Sequence, residues 1–359
     1  MSILELYFPE LIQCVATMHL VLALVVALVK APLTETYRPY RKAKRWLAAA
    51  YVALSANLFA WCYFTEGRWD VFNYTMECVD IILFYVEDIL LCYAFFTLLN
   101  KDYVTWRRVM IDVSAWALAV VLSVVALADV LQPWRDLLLL LASCLLLAFI
   151  IRFLFTFARQ YHANVRKLEN YFSSDMQPFI RWTGTSIVLM AVSWLLAILS
   201  MFQGIEFNWL FQFYVVALYV YIAVSFINYA YPFASLSKAF DEVPAAGGVA
   251  LSGLEQRLQV WATDKHYLAQ QFTIDDLASR LGTNTSYLSC LINEKYGMNF
   301  SAWVSSLRIA EAKRLMQQSP DMKLESIAYK VGFSSASYFS KVFSMQEGLS
   351  PAAWRKEQQ

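Results

Sequence analysis

The sequence of 359 residues predicts an all-α protein in two parts: a seven-transmembrane-helix bundle, followed by a soluble α-helical domain with two helix-turn-helix units. Three observations predict this fold class. Hydrophobic residues make up 59% of the chain and charged residues only 16%, against roughly 45–50% and about 25% in soluble domains. Before residue 231 the sequence contains seven long apolar stretches. After residue 253 a short helical pattern occurs twice.

Each of the seven apolar stretches is long enough for a helix that crosses a lipid bilayer, which needs about 20 residues. The loops after the first, third and fifth stretches carry twelve Lys and Arg residues, whereas the other short loops carry only Arg68 and Arg135. The positive-inside rule therefore predicts that the N-terminus lies outside and that the seventh helix ends in the cytoplasm. The stretches lie near residues 11–29, 46–64, 79–99, 109–130, 137–157, 179–201 and 209–230.

Three ionisable side chains lie deep within the predicted spans. Glu87 and Asp88 are near the middle of the third helix, and His19 is midway along the first. Charged groups at this depth are costly unless they are paired, protonated or in contact with water, so they are candidates for function. One hypothesis is that these residues form a signal site for a ligand, a cation or a proton. The alternative is that they hold the bundle together through hydrogen bonds between helices.

The sequence shows no motif for catalysis or for a cofactor. Its six cysteines and three histidines form neither a CxxC pair nor a zinc-like spacing. No nucleotide-binding loop or catalytic triad is visible. We therefore expect no metal, no cofactor and no enzymatic activity.

Proline and glycine residues mark the end of the apolar half, because both residues interrupt helices. They lie at Pro232, Pro244, Gly247 and Gly248. The sequence therefore predicts a transmembrane sensor domain, a linker and a cytoplasmic C-terminal domain, with bounds of 1–231, 232–253 and 254–359. The C-terminal domain begins with a helix that has Leu254, Leu258 and Trp261 on one face.

Residues 273–297 and 324–348 share a pattern of a short helix, a glycine turn and a second helix. This is the pattern of a helix-turn-helix unit, in which the second helix contacts DNA. Short polar side chains on the outward face of that helix permit close approach to a major groove, and the alternative is a merely solvated surface. The expected DNA-binding residues are Thr285, Ser286, Ser289 and Cys290 in the first unit and Ser335, Ser337, Ser340 and Lys341 in the second.

A predicted helix near 301–317 joins the two units. At 1.5 Å per residue it is about 25 Å long. A rigid helix of this length can place the two recognition helices in successive major grooves, which are about 34 Å apart. Arg308 and Lys313 on this helix are candidate phosphate contacts, with surface ion pairs as the alternative. Ser350 and Pro351 predict the start of a last short helix.

Residues 272–356 resemble the AraC/XylS-type DNA-binding domain. The resemblance implies seven helices, two helix-turn-helix units and, usually, activation of transcription. The motifs that carry it are, in order, LASRLG, YLSCLINEKYGMNF, LRIAEAKRLM, LESIAYKVGF and SYFSKVFSMQEGLSPAAWR. The apolar half does not resemble the sugar-binding domain usual in this family. It looks like the minority arrangement in which a multi-helix membrane domain precedes the DNA-binding domain.

The resemblance also implies which side chains contact bases. Cys290 departs from the family pattern, because a basic residue is common at that position. We therefore expect the second unit to dominate recognition through Lys341. The implied positions are Ser286, Ser289 and Cys290 in the first unit and Ala336, Ser337 and Lys341 in the second.

These features predict a one-component transcription regulator in the bacterial inner (cytoplasmic) membrane, most simply an activator. Its expected partners are double-stranded DNA, the lipid bilayer, RNA polymerase, a second copy of the chain, and a small or lipid-like ligand or a membrane partner. Two alternatives stay open. One is a membrane transporter or enzyme that uses the carboxylates of the third helix and carries the DNA-binding domain as a regulatory appendage. The other is a receptor whose helical domain docks a protein.

Overall fold

The computed structural model describes residues 2–65, 73–200, 203–240, 253–270 and 272–358. Within these ranges every regular element is a helix, and an isolated antiparallel bridge pairs Phe172 with Thr273. This confirms the all-α prediction. The chain forms two compact units. We call Met1–His162 with Ile180–Ser237 the bundle, and Ala163–Phe179 with Lys238–Gln359 the module.

Seven helices before residue 241 are long and apolar enough to cross a membrane, judged by length and composition. Each of them overlaps one of the seven apolar stretches of the sequence. The described helices of this part are α1 (Ile3–Leu6), α2 (Phe8–Leu28), α3 (Arg38–Phe64), α4 (Tyr74–Leu99), α5 (Trp106–Ala126), α6 (Arg135–Tyr171), α7 (Gln177–Ser200) and α8 (Ile205–Phe240). Their placement in a membrane stays a prediction.

Helix α4 lies at the centre of the bundle. Of the residues in its most apolar stretch, 72% are buried, against 22–33% in the corresponding stretches of the other six long helices. The other helices therefore surround α4 and keep a large part of their apolar surface on the outside. This position explains why the acidic residues of α4 have little exposure, because protein surrounds that helix on all sides.

One predicted boundary differs from the structure. Helix α8 continues through Pro232 to Phe240, although the sequence predicts that the linker begins at residue 232. A proline inside a helix removes one backbone hydrogen bond, but burial on the following turn offsets this cost. Phe233 and Leu236 are almost completely buried there. The rest of the predicted linker, 241–252, lies outside the described residues.

The module contains seven described helices after residue 252, the number that the family resemblance implies. They are α9 (Leu254–Thr263), α10 (Ile274–Leu281), α11 (Thr285–Tyr296), α12 (Phe300–Gln318), α13 (Leu324–Lys330), α14 (Ala336–Glu347) and α15 (Pro351–Glu357). The first helix-turn-helix unit is α10 with α11, and the second is α13 with α14. Helix α12 joins them, as the sequence predicts.

The second unit packs around an apolar core that includes the joining helix. One buried cluster contains Ile309 and Ala312 of α12, Phe339 and Phe343 of α14, and Trp354 of α15. All five side chains are buried. Helix α12 is therefore part of the core of the second unit as well as a spacer between the two units.

Candidate nucleic-acid interface

The first helix-turn-helix unit is defined by its own local sequence. The Thr273 hydroxyl caps α10 by accepting from the Asp276 N–H, and the Asp276 carboxylate accepts from the Thr273 N–H at 2.9 Å. This reciprocal pair is a capping box. Gly282 ends the helix with φ +63°, a left-handed conformation that favours glycine. Asn284 then caps the recognition helix α11 by accepting from the Tyr287 N–H at 2.9 Å.

Helix α11 presents the predicted polar face. Leu288, Leu291 and Ile292 are buried, which turns the opposite face outward. Cys290 is exposed, and its thiol donates to the Glu294 carboxylate at 3.2 Å. This hydrogen bond raises the pKa of the Cys290 thiol. The remaining predicted residues, Thr285, Ser286 and Ser289, are half-buried. The outer face of α11 therefore carries hydroxyls, a neutral thiol and an acid.

Helix α14 presents a different face. Phe339 and Phe343 are buried, and Ser337, Ser340 and Lys341 are exposed on the other side. No ion pair joins Lys341 to any residue that the structure describes, so its ammonium group is available to a ligand. The structure thus places a cation on the second recognition helix and none on the outer face of the first.

Ser335, one of the predicted DNA contacts, also has a structural role. It is the N-cap of α14, and its hydroxyl accepts a hydrogen bond from the Tyr338 N–H at 3.2 Å. Its side chain is half-buried. A hydroxyl engaged in this way contributes to helix stability, because it satisfies a backbone donor at the helix start.

The prediction that Arg308 contacts phosphate is wrong, because the side chain is completely buried. Its guanidinium group donates to the carbonyls of Tyr267 at 2.8 Å, Ala269 at 2.7 Å and Ser173 at 3.0 Å. Burial lowers the pKa of Arg308 to about 10. The signal was present in the sequence, because Val304 and Ala312 lie four residues away on the same helical face and are apolar.

Lys313 forms an internal ion pair, as the alternative interpretation proposes. Its ammonium lies 2.7 Å from a Glu347 carboxylate oxygen and 5.3 Å from the centre of the Trp354 ring. Glu311 likewise accepts from Arg314 at 3.0 Å and from Lys265 at 3.0 Å. The cations of α12 therefore stabilise the module internally.

Two exposed cations were missed by the sequence reasoning. Arg280 and Lys330 lie in the last turns of α10 and α13, each two residues before the turn glycine of its unit. The repeat itself could have revealed them, because the two positions align when the units are superposed by sequence. Both side chains are exposed.

The ionisable residues singled out in the bundle are buried, and the structure brings two of them to one tyrosine. The Tyr219 hydroxyl donates to the Glu87 carboxylate, and the His19 ring lies edge-on to the Tyr219 ring at 5.1 Å between centroids. The Tyr51 hydroxyl donates to the Tyr219 carbonyl at 2.5 Å. Helices α2, α3, α4 and α8 therefore meet at this cluster. No sequence signal joins Tyr219 to Glu87, because 132 residues separate them.

Asp88 does not share this contact, although it neighbours Glu87 in sequence. It is buried and hydrogen-bonded by the Trp194 side chain of α7. The His19 Nδ1 is 2.7 Å from the Val15 carbonyl, and its Nε2 has no partner among the residues that the structure describes. His19 and Glu87 thus belong to one cluster, and Asp88 faces another helix.

Comparison with known proteins relates the C-terminal residues to a family. A family model described as a helix-turn-helix domain matches residues 277–357. The regulatory protein PocR of Salmonella typhimurium is 35% identical over 91 residues, which are 25% of this chain and 30% of PocR. The transcriptional regulator ExsA of Pseudomonas aeruginosa is 34% identical over 101 residues, 28% of this chain and 35% of ExsA. The transcriptional activator RhaR of Klebsiella pneumoniae is 30% identical over 89 residues, 25% of this chain and 31% of RhaR.

A similar solved structure is the C-terminal domain of AraT, a response regulator from Geobacillus stearothermophilus. It is 27% identical, covers 30% of this chain and 88% of that domain, and has a TM-score of 0.28.

The chain spans about a third of the length of the curated relatives it matches. The family match and these relatives confirm the resemblance of the C-terminal residues to an AraC-type helix-turn-helix domain. The relatives are named as regulators and not as enzymes.

Proposed function

We propose that this chain, whose C-terminal residues form an AraC-type helix-turn-helix domain, is a transcription regulator embedded in the bacterial inner membrane. It binds double-stranded DNA sequence-specifically and responds to a signal from the membrane or from outside the cell. The observation that carries this proposal is the presence, in one chain, of two recognition helices with polar outer faces and seven helices of membrane-spanning length. Sensor and DNA-binding domain are then one molecule.

The outer surface of the bundle supports a membrane location. Several large apolar side chains expose more than half of their surface. So much exposed apolar surface is rare in a soluble monomer. Lipid tails would cover such a surface without cost. Examples are Val124, Leu140, Ile151, Val188 and Leu195. Together with the basic loops, this surface favours the predicted topology, with the module in the cytoplasm.

Base recognition is assigned mainly to α14. Lys341 is the exposed cation of that helix, and a lysine in the major groove donates to the guanine O6 and N7 acceptors. Ser337 and Ser340 flank it and contact either base edges or phosphates. Thr285, Ser286, Ser289 and Cys290 on α11 approach the other half of the site with short neutral groups, and Ser335 contributes through its cap. The first helix therefore adds contact area and the second adds most of the sequence preference.

Phosphate contacts are assigned to Arg280 and Lys330, in place of Arg308 and Lys313. Both are exposed, and they occupy equivalent positions in the two units. Two cations at equivalent positions of the two units suit a duplex whose backbone repeats with each turn.

The signal site is assigned to the cluster of His19, Glu87 and Tyr219, with Asp88 on its other side. Buried polar groups that join several helices make helix packing sensitive to a bound ligand or a change of protonation. A small or lipid-like ligand, or a membrane partner, is the class of signal that fits a bundle with short outer loops. The module is expected to act as a homodimer and to contact RNA polymerase. Relatives named as activators support activation.

The first experiment maps genomic DNA crosslinked to the full-length protein in cells. The test variant is Lys341→Ala, and Lys356→Ala is the control because Lys356 is an exposed lysine of α15, which is not a recognition helix. We expect discrete sites for the wild type and the control, and loss of those sites in Lys341→Ala. Equal occupancy in all three proteins would refute DNA recognition through α14.

A second experiment tests the signal site. Glu87→Gln and Tyr219→Phe are expected to change transcription of the crosslinked genes by at least several-fold. Glu206→Gln, at an exposed position, is the control. Unchanged transcription in both variants would assign the cluster to helix packing instead.

A further inference from the structure

The connection between α6 and α7 is part of the module. Residues Ala163–Phe179, which we call the docking segment, cluster with the C-terminal helices and not with the bundle. The segment comprises the last turns of α6, the turn after it and the start of α7. Phe172 and Ser173 in that turn are buried, and Ser173 is completely inaccessible. A turn between two helices is normally exposed, so this burial requires a specific reason.

The docking segment pairs with the start of the first helix-turn-helix unit. The Ser173 N–H donates to the Phe272 carbonyl at 3.0 Å, within the antiparallel bridge between Phe172 and Thr273. The Tyr171 hydroxyl donates to the Asp275 carboxylate at 2.6 Å. Thr273 is the residue that caps α10. The segment is therefore bound to the residues that begin the first unit.

Arg308 joins the same segment to the second unit. Its guanidinium donates to the Ser173 carbonyl at 3.0 Å and to the Ser173 hydroxyl at 3.2 Å, two of the four hydrogen bonds described for this group. The guanidinium lies 5.8 Å from the centre of the Phe333 ring. A Cβ on Gly332 would lie 3.0 Å from the Arg308 Nε. The turn of the second unit thus packs directly on the Arg308 guanidinium, which is hydrogen-bonded to Ser173.

A third contact reaches the joining helix. Asn299 caps α12 and donates from its side chain to the Glu169 carboxylate at 3.4 Å. Glu169 also accepts from Gln177 at 2.7 Å, which closes the two ends of the docking segment on each other. The segment therefore contacts the starts of α10 and α12 and, through Arg308, the turn before α14.

From these contacts we infer that the docking segment completes the DNA-binding module and transmits the state of the bundle to it. This inference rests on the proposed function. The segment is continuous in sequence with α6 and α7, so a movement of these helices displaces Ser173. Displacement leaves a buried cation without two of its partners, which is costly. The turn at Gly332 and Phe333 then loosens, and α14 loses its fixed position. The docked segment is the DNA-binding form.

The test uses the full-length protein in lipid nanodiscs. The docking variant is Tyr171→Phe with Ser173→Ala, which removes the two side-chain hydrogen bonds of the segment to Asp275 and Arg308. A stronger variant, Ser173→Pro, removes the backbone donor to Phe272. The matched control is Ser174→Ala, because Ser174 is the adjacent serine and is only half-buried.

Amide hydrogen exchange without DNA gives the first readout. We expect exchange at 272–281 and at 332–340 to rise about tenfold in the docking variant, more in Ser173→Pro, and not in the control. DNA affinity, measured on a site from the crosslinking map, is expected to fall about five- to tenfold in the same order. Unchanged exchange at 332–340 in both docking variants would overturn the inference, and so would unchanged or increased DNA affinity.

The two readouts separate this inference from the proposed function. Lys341→Ala is expected to weaken DNA binding about 10- to 100-fold without any change in exchange at 272–281. If Lys341→Ala binds DNA like the wild type while the docking variants still exchange faster at 332–340, DNA recognition through α14 fails and the docking of the segment stands.

Discussion

The two helix-turn-helix units share one sequence pattern but are stabilised in different ways. The first unit has a capping box at Thr273 and a turn glycine, Gly282, with open space around it. In the second unit, Lys323 occupies the cap position and makes no side-chain capping bond within the described structure. Its turn glycine, Gly332, packs against the Leu268 carbonyl and Arg308. The helix start and the turn of the first unit therefore have local stabilising interactions, whereas the turn of the second unit depends on tertiary contacts.

The outer faces of the two recognition helices, α11 and α14, also differ. The first recognition helix presents a thiol paired with Glu294, and the second presents the free cation of Lys341. The unit that carries the main DNA contact is thus the unit whose position depends on the rest of the module. The turn of the second unit packs on Arg308, so a displacement of the docking segment reaches α14 through that turn.

The largest difference is expected at the two turn glycines. Gly332→Ala would place a Cβ 2.5 Å from the Leu268 carbonyl oxygen, in a left-handed conformation with φ +92°. We expect a loss of stability of roughly 4 kcal/mol, from the combined overpacking and backbone strain. Gly282→Ala has only the strain and should cost about 1–2 kcal/mol. Native-state hydrogen exchange of the module measures both, and equal losses would contradict the comparison.

The next largest effect concerns two cations of α12, Arg308 and Lys313. Arg308→Ala removes the donor of three carbonyls, two of them on the buried residues Tyr267 and Ser173, and we expect a loss of about 3 kcal/mol in module stability. Lys313→Ala breaks a half-exposed ion pair and should cost less than about 1 kcal/mol. The same exchange experiment checks this. Normal stability combined with a smaller salt dependence of DNA binding would instead restore Arg308 as a phosphate contact.

The two recognition helices can be compared directly by DNA affinity. Lys341→Ala is expected to weaken binding about 10- to 100-fold, as for loss of one good base contact. Cys290→Ala should have little effect, because the thiol is neutral and already donates to Glu294. Cys290→Arg, which introduces the basic residue common in the family, is expected to tighten binding about fivefold. Fluorescence anisotropy with labelled duplexes measures all three. A greater loss in Cys290→Ala than in Lys341→Ala would reverse the assignment.

The smallest effect is expected at the equivalent exposed cations. Arg280→Ala and Lys330→Ala should each reduce the slope of log K against log salt by about 0.9, one phosphate contact apiece. Lys356→Ala, the control on α15, should leave the slope unchanged. If one variant changes the slope and the other does not, the two units contact the backbone unequally.

Much of the module was predictable because its signals are local. The capping box at Thr273, the glycine turn at Gly282 and the burial of Leu288, Leu291 and Ile292 all follow from residues within four positions of one another. The seven long helices were predictable for a similar reason, since apolar length alone marks them. The continuation of α8 past Pro232 was not, because burial of the following turn decided it.

The sequence by itself determined the helices, the repeat and the outward faces of α11 and α14, because helix periodicity and capping depend on neighbours in the chain. Only the tertiary structure decided the role of Arg308. Its positive charge suggested a phosphate contact, but its side chain is buried and donates to carbonyls within the module. It also decided that Ser173 docks on the module and that Tyr219 joins Glu87 to His19. In each case the partners are far apart in the chain, 135 residues for Ser173 and Arg308. No periodicity or spacing records such a contact, because it forms only when separate helices pack together.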